Sequence, residues 1–250
     1  MPSGPSAHGI PLNQSALLQP TPIPTPSHPS GGLFSIAAST TIRTSALCCV
    51  AATLDTQSYV SWNRFVPEVN IITNPPISTS TSAPGSPSLS SPASASDAAP
   101  GTVTLDPALE PLYAQTPALV RPGTQMVFRA AVRPCWPRSS TKLVVQHVVR
   151  FHDAAGRTGW RVVWGPRSPP AALMWSERVQ EFVETQDDAE PESGVGGARV
   201  KTEYTTWETF GGLAAYPIKA AVGKDLIVGF DYWAEDLRKE AERRENEEGV

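Results

Sequence analysis

Between residues 218 and 237 the apolar positions recur at three- and four-residue steps: Ile218, Val222, Leu226, Phe230, Trp233 and Leu237. This is one stripe of a 3.6-residue period, the mark of an amphipathic helix. Lys224, Asp231, Glu235, Arg238 and Glu242 fall on the opposite side, and Lys219 intrudes on the stripe only at its first turn. A proline ring clashes with the carbonyl four residues back, so Pro217 belongs to the first turn and the helix starts near Tyr216 or Pro217. At 1.5 Å per residue, a helix of about thirty residues spans roughly 45 Å, enough to cross a sheet. Glu235/Lys239 and Glu240/Arg244 are acid-first pairs four apart, contributing about 0.3–0.5 kcal/mol each.

Period-two alternation dominates the rest. Phe34, Ile36, Ala38 and Ile42 share one face of a first strand. Ser45 then reads as an N-cap for a short apolar helix from Leu47 to Leu54, followed by a turn carrying Tyr59 and Trp62. Phe65, Val69 and Ile71 lead through a second strand to Asn74. The segment 105–122, interrupted by four prolines, reads as ordered loop. Further strands follow around Met126–Val132, Leu143–Phe151, Trp160–Trp164, Ala172–Glu184 and Lys201–Thr209, the last two separated by an acidic, glycine-rich loop at 186–197. Gly211 and Gly212 break the final strand before the long helix. Grouped strands before one terminal helix predict an antiparallel α+β domain, not βαβ repeats.

Composition divides the chain. Residues 1–33 hold eight of the 26 prolines and no Lys, Arg, Asp or Glu; residues 74–104 hold six prolines and only Asp97 as a charge. Both are expected to be disordered, for want of apolar surface to offset the entropy of ordering. The expected organisation is therefore a Pro-rich head at 1–33, one domain at 34–246 interrupted by the 74–104 insertion, and a tail at 247–250. The net charge of −4 and the lack of a basic cluster interleaved with aromatics argue against nucleic acid. Cys48, Cys49 and Cys135 are odd in number, so no disulfide framework is expected and a reducing compartment is favoured. With no signal-peptide layout and no apolar run near 18 residues, a cytoplasmic protein without a membrane span is expected.

Several phrases, in this order, resemble the START-like (SRPBCC, Bet v 1-type) superfamily of pathogenesis-related allergens, polyketide cyclases and coenzyme Q-binding START proteins. Residues 50–69 (VAATLDTQSYVSWNRFVPEV) match its helix–Asp–Tyr–Trp–Asn–Phe–Pro pattern with Asp55, Tyr59, Trp62, Asn63, Phe65 and Pro67. Gly123 and Thr124 open a strand, and Glu177-Arg178-Val179 precedes the run from Tyr204 to Ala214. The resemblance covers about residues 34–74 and 105–246, looks most like a fungal-type branch, and departs from the family in the head and the insertion. It implies a helix-grip fold: a curved antiparallel sheet of six or seven strands, two short helices after the first strand, and a C-terminal helix. Between sheet and helix it implies a cavity, for which Phe128, Trp164, Phe230 and Trp233 are the lining candidates, with Tyr59 and Trp62 near the entrance.

Candidate chemistry is sparse. His147 shares the more apolar side of its strand with Val145 and reads as either a core histidine or a general base in the cavity. Glu177, Arg178 and Glu208 are charges within strands, on a wet face or projecting into the cavity, and strand parity does not separate the two. No His, Cys or carboxylate spacing resembles a metal site, no phosphate loop or nucleophile elbow appears, and no cofactor is expected. Two functions follow. The first is binding of a small apolar or amphipathic ligand such as a lipid, quinone or polyketide-like compound. The alternative is a cyclase or dehydratase acting on a polyketide-like substrate through His147, Arg178 and Glu208. Separately, the Pro-rich head suits weak docking to an aromatic groove.

Overall fold

The computed structural model describes residues 9–77, 103–131, 139–153, 155–166, 172–186 and 200–248. The bulk of the 74–104 insertion, most of the acidic loop, Cys135, and the outermost residues of head and tail lie outside these. Among the described residues the β-branched and aromatic runs form eight strands: β1 (Leu17–Leu18), β2 (Phe34–Ile42), β3 (Glu68–Thr73), β4 (Gln125–Ala130), β5 (Ser139–His152), β6 (Thr158–Pro166), β7 (Trp175–Gln186) and β8 (Val200–Gly211). They make one open antiparallel sheet in the order β1-β2-β8-β7-β6-β5-β4-β3. Seven of these strands correspond to the predicted alternating runs; β1 is an addition from the head and takes the count past the expected six or seven.

Among the described residues four α-helices accompany the sheet: α1 (Ala46–Leu54), α2 (Tyr59–Trp62), α3 (Glu110–Gln115) and α4 (Ala215–Glu248). Ser45 caps α1 as its position predicts, its side chain accepting from the Cys48 N–H. The segment expected to be loop instead holds a 3-10 turn (Pro107–Leu109) and α3, because Asp106 caps the turn and prolines sit in the first turn of each, where no N–H is missed. Between β8 and α4, Gly212 adopts φ +84° with the backbone of Leu173 within 2.7 Å of where a Cβ would stand, so the turn requires glycine. Helix α4 then lies over one face of the sheet, burying Phe230, Trp233, Leu237 and Ala241 of its apolar stripe. An antiparallel sheet crossed by a long C-terminal helix fits the helix-grip arrangement.

The head departs from expectation. Residues 9–33 are not a disordered tail. Strand β1 extends the sheet beyond β2, while Ile10 and Ile23 pack with Ala37, Val163, Val179 and Trp207 on the face turned away from α4. Head carbonyls accept hydrogen bonds from the sheet's own side chains: Ile23 from Thr209 Oγ1 at 2.7 Å, Pro24 from Trp207 Nε1 at 3.1 Å and Pro11 from Ser39 Oγ at 2.5 Å. His28 stacks on Trp175 at 3.5 Å, and Ser27 donates to Glu177 through both its N–H and its hydroxyl. The absence of charge, which suggested disorder, is what lets this segment be buried; its prolines also leave less conformational entropy to lose. The described part of the head is thus engaged by its own sheet.

At its C-terminal end α4 is tied to the α1–α2 region. Arg64 donates to Asp236 from its backbone N–H at 2.9 Å and its Nε at 2.9 Å, and Arg244 Nη2 reaches Asp55 at 2.9 Å. The expected helix pairs form as well, Lys239–Glu235 and Arg244–Glu240 both at 2.7 Å.

Candidate functional site

Strand registers place the inner-face residues in rows beneath α4. One row runs Val145, Trp164, Arg178, Glu208, Ile36 across β5, β6, β7, β8 and β2; the next runs Val162, Gln180, Thr206, Ala38. Strand geometry therefore brings Arg178 and Glu208 together at the centre of the inner face, as cross-strand neighbours. Glu177, one residue away, points to the opposite face and is held by Ser27.

The aromatic candidates meet as one cluster. Trp233 of α4 packs edge-on against Tyr59 at 5.4 Å, Trp164 at 5.9 Å and Trp62 at 6.3 Å; Phe128 meets Trp164 at 5.5 Å and Tyr59 at 6.3 Å. Tyr59 is fully buried with its hydroxyl donating to the Thr53 carbonyl, so it lies inside rather than at an entrance; Trp62 is partly exposed. Phe230 joins a neighbouring cluster with Phe34, Ile36 and Phe210. Between helix and sheet, then, these rings touch one another where the sequence reading anticipated open space. A surface depression of about 660 Å³ is lined by Thr73, Asn74, Pro75, Pro76, Val103, Pro122, Gly123 and Gln125, which include none of the aromatic candidates and no titratable group.

Set into this aromatic floor is a buried polar group that the sequence marked only in part. The Arg178 guanidinium lies between two α4 rings, 4.1 Å from the centroid of Phe230 and 4.3 Å from that of Trp233, with its Nε 3.3 Å from Thr206 Oγ1. Gln180 Oε1 accepts from Tyr204 Oη at 2.7 Å and from Trp233 Nε1 at 3.0 Å. Arg178 Nη2 and Gln180 Nε2 are buried and meet no acceptor among the described residues. Burial pushes the Glu208 carboxyl above its ordinary value, against the opposing pull of the Arg178 charge and a hydrogen bond from Ser176. Glu208 is ringed by protein yet keeps some accessible surface. Burial likewise raises the Tyr59 and Tyr204 phenols, with the Arg178 charge opposing it, so both keep their protons.

His147 is not part of this group. A bulge between Val145 and His147 shifts the β5–β6 register, so that Val145 and Val148 face inward and His147 is exposed on the other face. Strict alternation had assigned His147 to the side of Val145; one inserted residue reverses it. Gln180 and Tyr204 were overlooked as site residues, though their spacing from Arg178 and Glu208 in β7 and β8 was a usable signal. Among the described residues no group of three or more His, Cys, Asp or Glu side chains is placed to hold a metal. None of their helices is long and apolar enough to cross a membrane. Cys49 is buried, and burial together with the adjacent Cys48 pushes its thiol well up, away from nucleophilic use.

The sequence matches no family model and no curated protein. In structure the chain is similar to a hypothetical protein from Helicobacter pylori, with a TM-score of 0.44 at 10% identity over 82% of this chain and 86% of that one. It is also similar to Thalictrum flavum norcoclaurine synthase. A point mutant complexed with a transition-state analogue gives a TM-score of 0.43 at 7% identity over 92% and 98% of the two chains. The truncated enzyme gives 0.38 at 7% identity over 90% and 94%. At these scores the likeness assigns neither family nor activity.

Proposed function

We propose that the protein binds a small, largely apolar molecule between the inner face of its sheet and α4. The observation that carries this reading is the buried pair Arg178 and Gln180 against the rings of Phe230 and Trp233, with the partly exposed Glu208 as the cross-strand neighbour of Arg178. Small-molecule sites are mostly apolar and aromatic, with a few convergent polar groups that fix orientation. A plain structural core would more cheaply be apolar there, since burying unpaired donors costs about 1–3 kcal/mol each. Lipids, quinones and polyketide-like compounds share the required shape and apolarity. Membership of a START-like superfamily, in a fungal-type branch, belongs to the same proposal and rests on the sequence phrases around Trp62 and Trp207.

Purified protein is extracted with organic solvent, and Nile red, a neutral solvatochromic dye, is titrated into the full chain. Recovery of an apolar compound, or a saturable blue shift of the dye, is the expected result. Clean extracts together with an unshifted dye would end this reading.

The juxtaposition of Arg178 and Glu208 favours a second reading, proton transfer on the bound molecule. A carboxyl with a raised pKa can donate a proton, and the neighbouring cation stabilises negative charge that develops on an oxygen. His147 has no role in it. Under this reading Glu208→Gln abolishes turnover of a polyketide-like substrate while leaving dye binding intact; unchanged turnover would leave binding alone.

A further inference from the structure

We infer that the interior site recognises its ligand through an anionic oxygen acceptor, a carboxylate or enolate at the head of an otherwise apolar molecule, held by Arg178 Nη2 and Gln180 Nε2. This deepens the binding reading above and rests on it. The orientation of the Gln180 amide is fixed, because an indole N–H can only donate and Trp233 Nε1 donates to Oε1 at 3.0 Å. Tyr204 donates to the same oxygen at 2.7 Å. The amide NH2 therefore points away from both partners and meets no acceptor among the described residues.

Arg178 is two residues before Gln180 on the same face of β7, and it too is locked in place. Its guanidinium carbon lies over the Phe230 and Trp233 rings, its Nε engages Thr206 and its charge acts on the Tyr204 phenol, while Nη2 meets no acceptor among the described residues. Among the described residues no carboxylate forms an ion pair with it; Glu208, its cross-strand neighbour, acts on it only at longer range. Arg178 retains only 5% of its exposure, so its positive charge is buried without a bonded counter-charge. Buried charge is normally paired, and buried donors without a protein acceptor are met by an ordered water or by a ligand group that displaces it and accepts in its place. Both orphan groups donate, so the missing partner is an acceptor; the charge on one makes an anion the better acceptor.

The two orphan atoms are closed off from solvent, with the α4 rings stacked on the guanidinium. An incoming anion consequently displaces part of α4 from the sheet. Phe230 stands at the edge of the N-terminal half of that helix, where Tyr216, Pro217, Lys219, Ala220 and Ala221 are exposed and Ile218 and Leu226 only partly buried, so access runs under that half to the edge of the ring cluster.

Competition for Nile red on the full chain separates the possibilities, with laurate as the anionic probe and 1-dodecanol as its uncharged counterpart. Laurate is expected to displace the dye at least about tenfold more tightly than dodecanol, the worth of a charge-assisted hydrogen bond. Arg178→Met should erase that preference, bringing the ratio of laurate to dodecanol affinity to about one. Gln180→Glu keeps the oxygen that Tyr204 and Trp233 bind and replaces the free donor with a like charge, so it should abolish laurate binding even if Arg178→Met does not fold. If dye and dodecanol bind but laurate shows no preference, or the preference survives Gln180→Glu, the anchor is wrong and the pocket stands. If neither dye nor dodecanol binds, the pocket itself fails and the anchor with it.

Discussion

Glu208 carries a pH signature that separates it from the other carboxylates. Its folded-state pKa lies above the ordinary value of 4.5, so the folded chain holds this proton more tightly than the unfolded chain. Stability is therefore undiminished below the unfolded pKa and falls as pH rises towards the folded one. Glu208→Gln keeps the shape and cannot ionise. Its melting temperature should match the parent below the unfolded pKa, exceed it increasingly as pH rises from there to the folded pKa and then hold a constant lead, each kcal/mol reading as about 2–4 °C in a domain of this size. A pH-independent difference in melting temperature would count against an interior Glu208. Glu240 behaves oppositely. Burial alone would raise it, but hydrogen bonds from Arg243 and Arg244 outweigh that and hold it low. Its contribution is present above the ordinary carboxylate range and fades as the medium turns acid. The sequence marked Arg178 and Glu208 but left their facing open, for a physical reason. Both faces of β7 are covered, by α4 on one side and by the head on the other, so the strand lacks the apolar-polar alternation that would have revealed its orientation.

At the scale of elements, α4 and the head show where pattern reading succeeds and where it stops. The helix stripe was legible because 3.6-residue periodicity depends only on the chain itself. The order of residues 9–33 was not, because it depends on acceptors and apolar patches supplied by strands far along the sequence, Trp207 and Thr209 among them. Ile23→Ala should accordingly cost about 2–4 kcal/mol in urea unfolding, the usual range for a buried isoleucine; its side chain is 6% exposed. Loss below about 0.5 kcal/mol, the scale of ordinary surface changes, would mean the head does not hold the sheet. Two glycines within α4 give a paired test. At Gly229 a Cβ would stand 2.3 Å from the Phe65 ring, whereas at Gly223 nothing lies within 4 Å. Gly223→Ala should stabilise by about 0.8–1.0 kcal/mol through helix propensity. Gly229→Ala should instead destabilise by roughly 1–3 kcal/mol, because the crowding of Phe65 outweighs that gain. Equal effects at the two sites would place Phe65 elsewhere.

For the molecule as a whole, these observations divide α4 into an anchored half and a loose half. From Gly229 onward the helix buries Phe230, Trp233, Ala234, Leu237 and Ala241, and Asp236 and Arg244 bind it to the α1–α2 region. Before that point most positions from Tyr216 to Val228 are exposed or only partly buried. Local opening follows buried contacts, so a helix continuous in hydrogen bonding need not be uniform in stability. Backbone amides over 219–227 should exchange at least about tenfold faster than those over 231–241 in native-state hydrogen exchange. Laurate should slow exchange in the first of these segments if the bound molecule lodges under it, through contacts that the free chain lacks. Equal protection along the whole helix would mean that α4 opens only with global unfolding, and a ligand would then need a route between α2 and β3 instead. A gradient along α4, sharpened by an anion and indifferent to dodecanol, would tie the loose half of the helix to the buried charge of Arg178.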